Sequence, residues 1–172
     1  MRISAKADYA VRAAVELAAA DELDDPRAAR SGEAGSRAGS TRGKPVKAER
    51  IATAQGIPLN FLENILGELR HAGIVRSHRG ADGGFRLARP ANEITVADVI
   101  RAVEGPLASV RGGPPEDAEY GGAATALPRV WIAVRANLRR VVEQVTIADV
   151  ANSKLPRSVE KLTEDPGAWV TR

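Results

Sequence analysis

VKAERIATAQGIPLNFLENILGELRHAGIVRSHRGADGGFRLAR, residues 46–89, reads as a helix, a tight turn, a second helix and a glycine-tipped hairpin. That order is a winged helix-turn-helix. Val46, Ile51 and Ala52 put an apolar stripe on a short first helix ending at Gln55, and Gly56 supplies the sharp turn after it. In the second helix Leu62, Ile65, Leu66 and Leu69 fall at helical spacing, so one face is buried, and Pro58 suits the first turn. The other face carries Asn60, Phe61, Glu63 and Asn64 near the helix N-terminus, where such a helix meets base edges in the major groove. Asparagine can pair with adenine, glutamate can accept from cytosine N4, and phenylalanine can meet a thymine methyl.

Gly73 ends that helix. Ile74, Val75, Phe85 and Leu87 then give two short apolar strands joined through Arg79-Gly80-Ala81-Asp82-Gly83-Gly84, which is the wing. Arg79 and Arg86 flank its tip with His78 beside them. A narrow minor groove attracts such cations, and glycine lets the backbone approach phosphate, so Arg79 is expected at the groove. The rival class is a protein-interaction module in which Leu59 and Phe61 anchor a partner protein instead of DNA.

Ser4 is a good N-cap for a first helix running to about Ala20, with Ala10, Ala14 and Leu17 on one stripe and Val11, Val15 and Ala18 widening it. Residues 24–45 hold no large apolar side chain and are rich in glycine and serine, so they cannot offset the entropy of ordering and are expected as a flexible insertion. Arg27, Arg30, Arg37, Arg42 and Lys44 could sweep phosphate there; a solvated linker is the plainer reading. After the wing, Thr95 and Asp98 form a capping box for a helix carrying Val96, Val99, Ile100 and Val103, stopped by Gly105-Pro106. Residues 107–127 read as a loop. Beyond it Trp131, Val134, Leu138, Val141 and Val145 make a short heptad seam, which asks for a second copy unless the stripe covers the chain's own winged domain. Thr146 and Asp149 repeat the cap pattern and either restart or kink that helix, and 152–172 reads as a weakly patterned tail with Trp169 as its anchor.

MRISAKADYAVRA at the N-terminus, the run from Gly56 to Pro90 and EITVADVIRAVEG at 93–105 together resemble the bacterial Rrf-two family of transcription regulators. The resemblance implies a mainly α fold with a small β wing. It further implies a DNA-binding domain over 1–106, a counterpart of the family's cluster-binding loop at 107–127 and a dimerisation helix at 128–151. It also implies that Ser4, Lys6 and Tyr9 reach DNA phosphates, although Lys6 could simply be solvated and Tyr9 a core-edge residue. The family's sensors hold an iron–sulfur cluster on cysteines in that loop. This chain has no cysteine, so a thiolate-held cluster, a thiolate zinc site and disulfides all fall away, and no cofactor is expected. Glu116, Asp117, Glu119 and Tyr120 could supply oxygen ligands, but an acidic loop is more simply solvated; His71 and His78 lack the spacing of a helical zinc site.

Composition agrees with this class. The 172 residues are 44% hydrophobic and 27% charged, enough for one core plus an arm, and a net charge of +3 with pI near 9.6 suits a polyanion. Aromatics are 3%, so the core should be aliphatic. No apolar run of membrane length and no signal-peptide pattern is present, which points to the cytoplasm. The hairpin glycines lack the lysine of a phosphate loop, and no catalytic grouping stands out, so an enzyme is not expected. The sequence thus predicts a homodimeric repressor on a palindromic operator. Its signal, a small molecule or a partner protein, is left open.

Overall fold

The alanine-rich run after Ser4 forms α1, Ala5–Leu23, and the Ser4 hydroxyl accepts from the Ala7 amide at 3.0 Å, the N-cap geometry. This computed structural model describes residues 3–23 and 44–170; all of the expected insertion except its last two residues lies outside the described residues. α1 is the strut of the domain. Ala10, Ala13, Ala14 and Leu17 are buried, and their small side chains let α1 lie close to α3, α4, α6 and β2.

α2 spans Ala48–Gln55 and ends on Gly56, whose φ of 62° and ψ of 37° form a left-handed cap. Ile57 follows, its amide closing on the Ala52 carbonyl at 2.9 Å while its side chain is buried. Val46, expected on this helix, lies before it. Its amide and carbonyl both bond Phe85 at 2.8 Å, so it extends the wing as a third, one-residue strand. Gly84 is required there, because a Cβ would stand 2.5 Å from the Val46 carbonyl oxygen.

α3, Leu59–His71, buries Leu62, Ile65, Leu66 and Leu69, the four positions the periodicity selects. β1 (Val75–His78) and β2 (Gly84–Leu87) pair antiparallel, with Val75 opposite Leu87 and Arg76 opposite Arg86. α4, Val96–Glu104, starts at a complete capping box between Thr95 and Asp98 and ends at Gly105. The largest fully buried side chains are Leu, Ile and Val together with Pro115, and among the described residues no polar or charged residue is buried. Each large aliphatic side chain so enclosed stabilises the fold by roughly 1.5–3 kcal/mol.

The segment expected as the dimerisation helix, 128–151, is two helices, with the restart at Thr146 that the second cap pattern offered. α5 runs Leu127–Val142, and after a break α6 runs Ile147–Ala151 from its own capping box, Thr146 with Asp149. The break returns the chain to the winged domain: Val96 donates to the Val145 carbonyl at 2.9 Å and Ile147 to the Ile94 carbonyl at 2.8 Å. Val145, expected on the dimer seam, is therefore 6% exposed, and Ile147 is fully buried. Beyond α6 lies α7, Arg157–Thr163, then a single turn at Pro166–Trp169. Trp169, expected as an anchor, is 76% exposed; its indole N–H reaches only the Thr163 carbonyl, at 2.7 Å, so it packs into no core.

Candidate nucleic-acid interface

Because the apolar side of α3 is wholly buried, its polar side must face out. Asn60, Phe61, Glu63 and Asn64 are all exposed, Phe61 at 41%. Phe61 is held from the side: Tyr9 of α1 meets its ring edge-on at 5.7 Å and 85°. The Arg12 guanidinium lies over Tyr9 at 5.5 Å and also donates to the Gln55 side chain at 2.9 Å and to the Gln55 carbonyl at the C-terminus of α2. One chain of contacts thus runs from the end of α2 through Arg12 and Tyr9 to Phe61, fixing the angle between the two helices of the motif. Arg12 was not a sequence candidate; a cation one turn after an aromatic on the first helix was the available signal.

Lys6, Phe61, Asn64 and Glu68 line one open groove, with Gly67 in its wall and Arg70 and His71 at its end. Lys6 Nζ is 2.8 Å from Glu68, so a phosphate would compete with that carboxylate for it. Tyr9 and Lys6 therefore both lie against α3. Ser4 does not. Its hydroxyl gives its one hydrogen to Glu104 at 2.6 Å on the α4 side of α1, where it lines a different cavity, and accepts from the Ala7 amide as the cap.

On the wing, paired residues share a face. Val75 and Leu87 point into the core, so Arg76, Arg86 and His78 lie on the outer face, with Arg79 exposed at the turn. Arg76 is exposed, while Arg86 opposite it is partly buried with its Nε enclosed. Arg76 was missed in the sequence because only the register pairs it with Arg86. The Nε2 atom of His78 is enclosed, so that nitrogen is turned away from any groove.

The residues expected on a dimer seam divide. Trp131, Val134, Leu138 and Val141 are half-buried against their own chain, while no residue of α5 is buried and Val130 (50%) and Ile132 stand exposed. The loop before α5 is tied to it by Arg135, 2.6 Å from Glu116, and by the Trp131 indole, which donates to the Tyr120 hydroxyl at 3.2 Å. Glu116 is held below the usual carboxylate range by a backbone hydrogen bond and by Arg135. At the other end, Glu143 accepts from Arg101 of α4 and, at 2.9 Å, from Arg139, and these two hold its carboxyl low as well.

The family model of the Rrf2 regulators, described as "Iron-dependent Transcriptional regulator", matches residues 38–153. The chain belongs to the Rrf2 family. A Mycobacterium tuberculosis relative, assigned by name to the HTH-type transcriptional regulators, is 48% identical over 165 residues, 96% of this chain and 90% of that protein. The HTH-type transcriptional regulator CymR of Bacillus subtilis is 34% identical over 108 residues, 63% of this chain and 73% of CymR. Among solved structures, B. subtilis CymR, the "Global Cysteine Regulator", superposes with a TM-score of 0.65 at 28% identity, covering 89% of this chain and 98% of CymR. T. potens IscR gives 0.61 at 27%, covering 100% and 93%. These relatives are transcription regulators, not enzymes, and the winged-helix fold is theirs. Among the described residues of this chain no helix is long and apolar enough to cross a membrane.

The iron in the family's description meets a poor donor set here. The sequence has no cysteine, and among the described residues no three His, Asp or Glu side chains converge as a metal site would require. Glu116 faces Arg135, a partner that a metal cation could not share without displacing it.

Proposed function

We propose that this Rrf2 regulator works as a homodimer that reads double-stranded DNA in the cytoplasm, repressing transcription from a palindromic operator without a cysteine-held cluster. The observation that carries the reading is the division of α3, whose apolar side is entirely buried while Asn60, Phe61, Glu63 and Asn64 are all exposed. In a two-fold dimer the two copies of α3 enter successive major grooves about 34 Å apart. The exposed apolar side chains of α5, Val130 and Ile132, support a second copy as its cover.

Asn60, Glu63 and Asn64 supply hydrogen bonds to base edges, and Phe61 an apolar contact. Lys6, Tyr9, Arg79 and Arg86, with Arg76, supply the salt-dependent contacts to phosphate and the minor groove. The test is retardation of fragments from the gene's own promoter region at rising salt, with a promoter reporter in cells. One fragment held in preference to bulk DNA, with a steep salt slope and reporter expression that rises on deletion, is expected. Feeble, equal retention of every fragment contradicts the reading and favours docking of a protein through Phe61.

A further inference from the structure

A second cavity lies on the far side of α1 from the groove of Lys6 and Phe61. It encloses about 520 Å³, within the roughly 300–1,000 Å³ range of small-molecule sites, between the start of α1, the end of α4 and the middle of α5. Ile3, Ala7, Ile100, Leu107 and Leu138 give it apolar walls. Glu104, itself exposed to solvent, is the one charged residue that lines it, and among the described residues no cation pairs with it. Ser4 donates to one Glu104 oxygen, orienting the carboxylate. Ala108 in the cavity wall holds a left-handed φ of 55°, a conformation that costs a non-glycine residue about 1–2 kcal/mol and that tends to persist where a ligand or switch uses it.

We propose that this cavity binds a small organic ammonium compound, an apolar body ending in a protonated amine, and that the ligand acts on DNA binding through α1. This rests on the regulator reading above. The charge sign follows from Glu104, which attracts an ammonium and repels a carboxylate. The body follows from the walls, which would leave a wholly polar ligand without partners. The route to DNA is short. Ser4 and Ala7 line the cavity on one side of the first turn of α1, while Lys6 between them pairs with Glu68 of α3 on the other. A ligand that moves this turn moves a contact of the recognition helix, and Leu138 couples the same cavity to α5.

The experiment is an amide NMR titration of the whole protein, free of DNA, with n-hexylammonium, 1-hexanol and hexanoate as matched probes. Saturable shifts at Ile3, Ala7, Ile100 and Leu107 are expected, with hexylammonium saturating at roughly tenfold lower concentration than hexanoate. Glu104→Gln should weaken hexylammonium about threefold to fivefold and erase its advantage over hexanol without moving the thermal midpoint. Ser109→Phe, at an exposed position of the lining, should block all three probes. Equal response to the three probes, shifts scattered away from the cavity, or no response with intermolecular contacts to Ile3 from a second copy would each overturn the proposal. In gel retardation, hexylammonium should shift the midpoint severalfold for the wild type and not for Glu104→Gln; an unmoved midpoint overturns the coupling. Failure to retard any fragment without amine would instead sink the DNA reading and leave the titration intact.

Discussion

α5 and α6 adjoin in the chain and behave oppositely. α5 has 16 residues, a clear apolar stripe and not one buried side chain; α6 has five residues and contributes Ile147, which is fully buried. Length and amphipathicity therefore do not decide which helix builds the domain. What decides it is the return of the backbone at Val145–Ile147, which bonds the chain to Ile94 and Val96 and carries α6 onto α1. α5 is left as an arm whose stripe is half-covered, the condition of a helix that completes its burial on another molecule.

The sharpest break of this comparison is a pair of substitutions. Ile147→Ala, on the short helix, should lower unfolding free energy by about 2–5 kcal/mol in a denaturant titration, since it leaves a cavity in the core. Val130→Glu, on the long one, should leave the unfolding midpoint of the monomer nearly unchanged yet shift the mass measured by sedimentation from dimer to monomer, with operator affinity falling with it. Equal sensitivity of the two positions in unfolding would remove the distinction.

A middle-sized effect concerns α3. Asn64→Ala should cost about 1–3 kcal/mol of binding at one base pair and relax selectivity there, measured by competition among operators changed at single positions. Arg76→Ala should weaken all sequences alike and lower the salt slope by about 1. Gly67→Ala gives the smallest effect: a Cβ there meets nothing within 4 Å, so the helix should gain up to about 1 kcal/mol. Any accompanying loss of DNA affinity would show that the groove is used by a close-approaching partner.

The tie between α4 and the end of α5 gives a pH test. Arg101 and Arg139 depress the Glu143 carboxyl, so its contribution is present above the ordinary glutamate range and is lost as pH falls through the lowered value in the folded state. Wild type and Glu143→Gln should therefore differ near neutrality and converge in acid, followed by thermal unfolding across pH.

Local signals were legible in the sequence. The buried side of α3, the turn at Gly56, the wing and both capping boxes each depend on residues within a few positions of one another. What escaped were pairings between distant segments. Val46 joins Phe85, Thr95 bridges Thr146, and Ser4 bonds Glu104 across 100 positions, and no periodicity reports such contacts. That is why Val46 was expected on a helix and Val145 on a seam. Trp169 failed for a different reason: an aromatic signals burial only where a core is within reach, and the tail has none.

The central claim is that two copies of α3 read one duplex together. Hydroxyl-radical footprinting on the preferred promoter fragment tests it most directly. The account predicts protection related by a two-fold axis, with two major-groove contact regions one helical turn, about 10 base pairs, apart. Protection of a single groove segment, or none that depends on sequence, would contradict it.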